Sequence, residues 1–313
     1  SLAIFEKSRN LDNLGAALTL ANLAIFLNSN QDFEGAISVM ARSLTIESTW
    51  LLRELPLLPD QARSAQLRSL EGWNIPFDWI DRDPAAVNLA FDTRLNRQGL
   101  LPVIEHLQMI LLNSPDVDRA KVEKLHALTR RLASVSLAPE SRTAVREQRD
   151  KLQSEIYMQI PELQIQLVTP TQVSKALPAD GALVEFQRFR PYNGRKPIDQ
   201  SWGAAQYIAL VLKPNGRISS VPLGPAAAID AQVHKGLIAS SSGLSDAEAI
   251  WAQLSTQILK PLLPHLKDSR QWFLSPDGEL NRVPFAALPS PQQTTTPLGQ
   301  AVQLRLLTTG REL

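Results

Sequence analysis

No cysteine occurs among the 313 residues. The chain itself therefore supplies no disulfide, no thiolate zinc ligand and no cysteine nucleophile. That absence does not distinguish between compartments. Histidine is nearly as scarce, with four in all, and no two have the spacing of a helical zinc site. The sequence also lacks HExxH, the phosphate-cradling GxxxxGK[ST] and GxGxxG patterns, and the GxSxG elbow. A Ser-His-Asp set stays open, because triads assemble in space rather than in sequence. Charge of one sign is missing too. The net charge of +1 gives no bulk electrostatic case for nucleic acid or an anionic membrane. The longest nearly apolar run, YIALVL at 207–212, is far too short to cross a bilayer. The opening SLAIFEKSRN has no secretory core followed by a small-residue cleavage site. These absences lead us to expect a cytoplasmic location, no membrane partner and no cofactor or metal.

Glycine is sparse in the first half, and strands are hard to place before residue 165. Apolar residues there recur at three and four. In KVEKLHALTRRLASVSL, Val122, Leu125, Leu128, Leu132 and Val135 share a face. In ESRTAVREQRDKLQSEIYMQI, Val145, Leu152, Ile156 and Ile160 do the same, with Pro139 and Glu140 at the start. The two read as an antiparallel helical hairpin. From about 168 the pattern changes. ALVEFQRF (182–189) and AQYIALVLKPNGRISSVPL (205–223) are strand-rich, and KPNG (213–216) predicts a β-hairpin turn. AAAIDAQVHKGLIAS and SDAEAIWAQLSTQILKPLLPHL predict helices, the second capped by Ser245 with Glu248 closing a capping box. QWFLS and VQLRLL (302–307) are further strands. LVTPTQVSKALPADG (167–181) carries the turn-formers of a domain boundary.

SLAIFEKS opens the chain and SLTIESTW follows at Ser43, an offset of 42 residues. Between them lie a helix, a polar turn and a second helix, as in stacked helical hairpins. This segment resembles a tetratricopeptide repeat. Leu20, Leu23, Ala24 and Leu27 fall at the packing positions of its first helix. DFEGAI (32–37) matches the turn into its second helix, with Ala36 where the helices touch and Met40 and Leu44 continuing the inner face. It departs from the pattern at Ser43, usually Ala, and at Ser48, usually Pro. Any amphipathic helical hairpin remains the alternative. The opening residues look like the tail of a preceding repeat, so an upstream array is expected.

Few residues offer chemistry. His106 and His126 sit among apolar residues, where structural histidines are expected. His234 lies on a helix and His265 at a helix end. ASSSGLS (239–245) reads as a loop. RFRPYNGRKP (188–197) is basic and could meet a phosphate backbone, although a solvated loop is the favoured reading. DWIDRDP lacks calcium-loop spacing.

The second half resembles the CHAT domain, the caspase-like module found behind tetratricopeptide repeats in bacterial proteins. VTPTQVSKALPADGALVEFQRF looks like its entry helix and first strand, and AQYIALVLKPNGRISSVPLGPAAAIDAQV like its hairpin and next helix. IWAQLSTQILKPLLPHL matches its helix, WFLSPDGELNRVPFAAL its most recognisable motif, and LLTTGREL the strand and turn that follow. AFDTRLNRQGLLPVIEHL resembles the helical linker of repeat-containing members. The resemblance runs from about 85 to 313. It implies a helical-repeat segment at 1–50, a helical linker at 51–166 and the first part of a caspase-like α/β domain at 167–313.

The resemblance also implies a His-Cys dyad, with the imidazole assisting thiolate attack on a peptide carbonyl. Both positions would fall beyond Leu313. No catalytic residue transfers to this sequence, and none of the four histidines falls at a matching place. The intact protein is expected to be a cysteine endopeptidase acting on protein and regulated by a protein partner at the repeats. A non-catalytic interaction scaffold is the alternative, and a nucleic-acid role through 188–196 is disfavoured. Within the motif, Trp272, Phe273 and Leu274 are expected to enter the sheet. Gly278 is expected to take positive φ, and Pro284, Phe285 and Leu288 to bury the return. Asp277, Glu279 and Arg282 are candidates to face a substrate groove. An incomplete parallel sheet would leave an unpaired edge, so self-association or a need for further chain is expected.

Overall fold

In the computed structural model, residues 14–58, 60–113, 118–133, 139–159, 166–293 and 295–313 are described. SLAIFEKS, Val135 and Ile160 lie outside them. The helices are α1 (Leu14–Ser29), α2 (Phe33–Glu54), α3 (Asp60–Ser69), α4 (Pro84–Arg97), α5 (Leu100–Asn113), α6 (Arg119–Ala133) and α7 (Pro139–Gln159). Then follow α8 (Pro170–Ala176), strands β1 (Gly181–Phe189), β2 (Gln206–Leu212) and β3 (Ile218–Pro225), and helices α9 (Ala226–Ser241) and α10 (Ala247–Ile258). Strands β4 (Gln271–Ser275) and β5 (Gln303–Leu306) follow, and short one-turn helices lie between these elements. Among the described residues no helix is long and apolar enough to cross a membrane.

The chain divides into two compact units: Ser1–Ala17, Thr45–Glu71 and Gly99–Leu167, and Leu18–Leu44, Gly72–Gln98 and Val168–Leu313. The first is helical. Leu51, Leu55, Leu70, Leu100 and Ile104 form one buried cluster. In α6 and α7, Val122, Leu125, Leu128, Val145, Leu152 and Ile156 are buried as their spacing predicts. The two helices pack on each other, and Arg142 near the start of α7 donates to the Leu132 carbonyl at 3.0 Å. Asp118 caps α6, accepting from the Ala120 amide at 3.0 Å. His106 and His126 correct the expectation of structural histidines, because both are exposed. His126 follows buried Leu125, and one residue turns the helix by about 100°, off the apolar face.

The second unit holds a five-stranded mixed sheet of order β3-β2-β1-β4-β5. β1–β2 and β2–β3 are antiparallel, whereas β1–β4 and β4–β5 are parallel. The expected hairpin is there, with Gly216 at φ 80° closing the 213–216 turn. β1 alternates between two cores. Ala182, Val184 and Phe186 face the cluster built with Ile229 and Val233 of α9 and Trp251 and Leu254 of α10. Leu183 and Phe189 face the cluster built with Phe91 and Leu95 of α4 and Val173 of α8. Helices thus cover both faces, as in α/β folds. β5 is an edge strand with an exposed pattern.

Residues 18–44 and 72–98, read from sequence as repeat and linker, also belong to this unit. Leu20, Ala24, Ala36 and Met40 are buried, while Leu23 and Leu27 are half-buried. Ala24, Ala36, Met40 and Leu44 cluster with Ile75, Trp79, Ala86 and Leu89, and Leu27 packs on their edge. Asp32 caps α2 by accepting from the Gly35 amide at 3.0 Å. A Cβ at Gly35 would lie 2.5 Å from that carboxylate. With serine instead of proline at 48, α2 runs on to Glu54.

Two helix starts differ from the sequence reading. α10 begins after Asp246, which makes no side-chain cap bond, so Ser245 and Glu248 do not form a capping box. The capping box is at α8, where Thr169 accepts from the Gln172 amide and the Gln172 carboxamide accepts from the Thr169 amide. The helix predicted through 266 stops at Ile258, and Pro261 and Pro264 sit in the short turns that follow.

Candidate functional site

In an open α/β sheet, ligand sites lie outside the carboxyl ends of the parallel strands. At that end of β1 and β4 the second unit gathers a connected group of buried polar side chains. β1 is buried on both faces, yet it carries Glu185 and Gln187, each 0% exposed. A carboxylate in such a place requires partners. Arg94, near the last turn of α4 and also 0% exposed, supplies them. Its Nε donates to Glu185 Oε2 at 3.0 Å and its Nη1 to Gln187 Oε1 at 3.3 Å. Its Nη2 donates to Ser275 Oγ at 3.0 Å and to the Pro276 carbonyl at 3.1 Å. Asp277 Oδ1 lies 3.8 Å from Nη1. The planar fork thus has acceptors on both sides, as a buried guanidinium needs.

Glu185 works in two directions. Its Oε1 accepts from the Gly310 amide at 2.6 Å and from Thr309 Oγ1 at 3.2 Å. Ser275 Oγ donates to the Thr308 carbonyl at 2.8 Å, and the Leu307 amide to the Leu274 carbonyl at 2.9 Å. Arg311 donates to Asn96 Oδ1 at 2.9 Å, and burial pulls its guanidinium below the ordinary value. One ion pair therefore ties α4, β1, the end of β4 and segment 306–313 together.

The strand-turn motif sits beside this clamp. Trp272, Phe273 and Leu274 are buried in β4, as expected. Gly278 has φ 54°, in the left-handed region. A Cβ there would lie 2.5 Å from Tyr207 Oη. Phe285 and Leu288 are buried, Phe285 contributing about 1.5–3 kcal/mol by burial. Pro284 corrects the expectation of burial: it is exposed, and its carbonyl instead accepts from the Ala287 and Leu288 amides to start a tight turn.

Of the three groove candidates, Asp277 turns onto the protein. Its Oδ2 accepts from the Arg188 amide at 2.8 Å and from Gln187 Nε2 at 3.0 Å. Glu279 and Arg282 come together in a solvent-facing group. Glu279 Oε2 is 2.9 Å from Arg282 Nη1 and 3.3 Å from His234 Nε2. The Glu279 amide donates to Tyr207 Oη at 3.0 Å, and that hydroxyl donates to Asp230 Oδ1 at 2.9 Å. Burial, reinforced by the Asp230 hydrogen bond, raises the Tyr207 phenol well above its usual range. It stays a donor at any physiological pH. Asp230 also meets Arg188 Nε at 3.4 Å.

The sequence reading missed Arg94, Glu185, Tyr207 and Asp230. The available signal was Glu185 itself, one acid inside a strand apolar on both faces. Ser275, the serine nearest the clamp, is buried and hydrogen-bonded on two sides, so it is no free nucleophile. Among the described residues no group of three or more His, Asp or Glu side chains could hold a metal.

The elements from α10 through β4, the Pro-Asp-Gly turn and β5 are matched by a known family. Residues 248–313 match the CHAT domain family model. No curated protein and no solved structure matches the chain. The CHAT-matching segment contributes β4 and β5, whereas β1–β3 and the clamp partner Arg94 precede it.

The basic loop is also placed. Arg190 donates to the Trp202 and Gly203 carbonyls at 3.3 and 3.2 Å and lies 5.9 Å over the Trp202 ring. Arg195 donates to the Ser29 carbonyl at 2.8 Å. With Arg188 on Asp230, three of its cations hold the loop to the protein.

One titration follows from α4. Asp92 is half-buried; among the described residues its carboxylate has only a 3.4 Å bond, from Asn96, and burial raises its pKa. A carboxyl raised in the folded state contributes stability below its unfolded value, about 4. That contribution is lost as pH rises through the folded value. Asp92→Asn is therefore expected to raise Tm at pH 7, with the gain disappearing below about pH 4. A gain that does not change between pH 3.5 and 7 contradicts this.

Proposed function

We propose that this chain supplies the first part of a caspase-like cysteine endopeptidase, with tetratricopeptide-like helices that receive a protein regulator. The match of residues 248–313 to the CHAT domain carries this reading. The helical hairpin of α1 and α2, with small residues Ala24 and Ala36 buried in one cluster, supports the repeat. With no cysteine in the 313 residues, the thiolate comes from outside them. One observation favours a scaffold instead: Arg94, Glu185, Gln187, Ser275 and Asp277 all engage one another at the sheet end where chemistry would be sought.

A fluorogenic peptide assay separates the two. The purified 313-residue chain is expected to show no cleavage. The product of the complete reading frame is expected to cleave peptides and to lose that activity on thiol alkylation. A complete product that binds protein but never cleaves it favours the scaffold. Cleavage by the 313-residue chain, or cleavage that survives alkylation, contradicts the peptidase reading.

A further inference from the structure

An open cleft of about 680 Å³ lies within the second unit, away from the clamp residues. It is lined by the α1–α2 turn, by Asp78 and Arg82, and by loop residues 191–203. Its walls are firmly built. Tyr192 pairs with Trp202, their rings 4.7 Å apart, and the Asn193 amide donates to the Ser201 carbonyl at 2.7 Å. Gly194 sits so close to α1 that a Cβ would lie 2.8 Å from Ile25 Cγ2. The lining is rich in amides, hydroxyls and guanidinium groups, which suits a polar ligand. Three cations line it (Arg82, Arg195 and Lys196) against one acid, Asp78. Asp78 is already engaged by Arg82 at 3.2 Å. Arg82 also bonds Asn28 Oδ1 at 3.0 Å, so it is held in place. The Lys196 ammonium has no protein partner among the described residues. A concave surface with fixed guanidinium groups, an unengaged ammonium and excess positive charge favours anions.

We propose that this cleft binds a small multivalent oxyanion, a polycarboxylate or a phosphate. The volume fits a ligand of that class with room for a polar body. The site is independent of the peptidase reading, since none of its lining belongs to the CHAT-matching segment.

Thermal unfolding of the 313-residue chain with citrate or pyrophosphate, at ionic strength held constant with sodium chloride, tests it. Either anion bound at ten times its Kd is expected to raise Tm by roughly 2–4 °C, in a saturable way. A shift with citrate alone identifies a carboxylate ligand, and one with pyrophosphate alone a phosphate. Lys196→Glu is expected to abolish the shift and Lys196→Arg to keep it, with ligand-free Tm unchanged in both. Arg195→Gln is the second variant, expected to weaken the shift at least threefold in ligand concentration. No shift with either anion overturns the proposal. So does an unsaturable shift equal in wild type and Lys196→Glu, which reports salt exclusion from the surface.

Discussion

Arg94→Ala is expected to destabilise the protein by about 3–5 kcal/mol, the cost of removing one partner of a buried ion pair. The substitution leaves Glu185, which is fully buried, with donors from Gly310 and Thr309 but no cation. It also strips Ser275, Pro276 and Gln187 of a shared donor. Against a usual total of about 5–15 kcal/mol, the loss is a large share. Urea denaturation of wild type and variant measures it. Replacing both partners with apolar residues of similar volume, Arg94→Met with Glu185→Leu, is expected to cost far less than either single change. A single-variant loss under about 1 kcal/mol, the scale of an exposed pair, contradicts the clamp.

The second large effect is expected at Gly278. Gly278→Ala places a Cβ 2.5 Å from Tyr207 Oη and 2.8 Å from Arg188 Cδ, at φ 54°. Left-handed backbone costs an L-residue about 1–2 kcal/mol. Moving Tyr207 adds the loss of its bonds to Asp230 and the Glu279 amide, about 1 kcal/mol each. A total of about 3–4 kcal/mol is expected. The two parts separate in a Tyr207→Phe background, where the hydroxyl is gone. There Gly278→Ala is expected to cost the backbone part and the displacement of Arg188 Cδ, without the hydroxyl's two bonds. Equal costs in both backgrounds show that the hydroxyl is not what the Cβ meets.

These two effects explain why the Pro-Asp-Gly motif is so specific. Its proline carbonyl accepts from Arg94, its aspartate seals the Arg188 amide, and its glycine passes under Tyr207. Each residue type answers a contact that only the folded chain supplies. Glu279 and Arg282 are the members left facing solvent, joined there by His234.

Much of this fold was legible because its signals are local. Short apolar, strand-rich runs marked β1, β2 and β4, a KPNG turn marked the hairpin, and a 3.6-residue period marked α6 and α7. Helix starts were less legible. Thr169 and Ser245 both precede a plausible N3 partner, and only the backbone path decides which pair closes. The clamp was illegible as a contact, because Arg94 and Glu185 are 91 residues apart. Glu185 alone signalled that a cation had to exist somewhere. His106 and His126 misled because adjacency in sequence does not set a helix face.

A double-mutant cycle on Arg94 and Glu185 tests the clamp most directly, using Arg94→Met, Glu185→Leu and the pair. Urea denaturation read alongside hydrogen exchange at the Gly310 amide covers both ends of the ion pair. The clamp requires a coupling energy above roughly 1.5 kcal/mol. It also requires faster Gly310 exchange in Arg94→Met, although that substitution is remote in sequence from Gly310. Additive effects within about 0.5 kcal/mol, with Gly310 exchange unchanged, would contradict it.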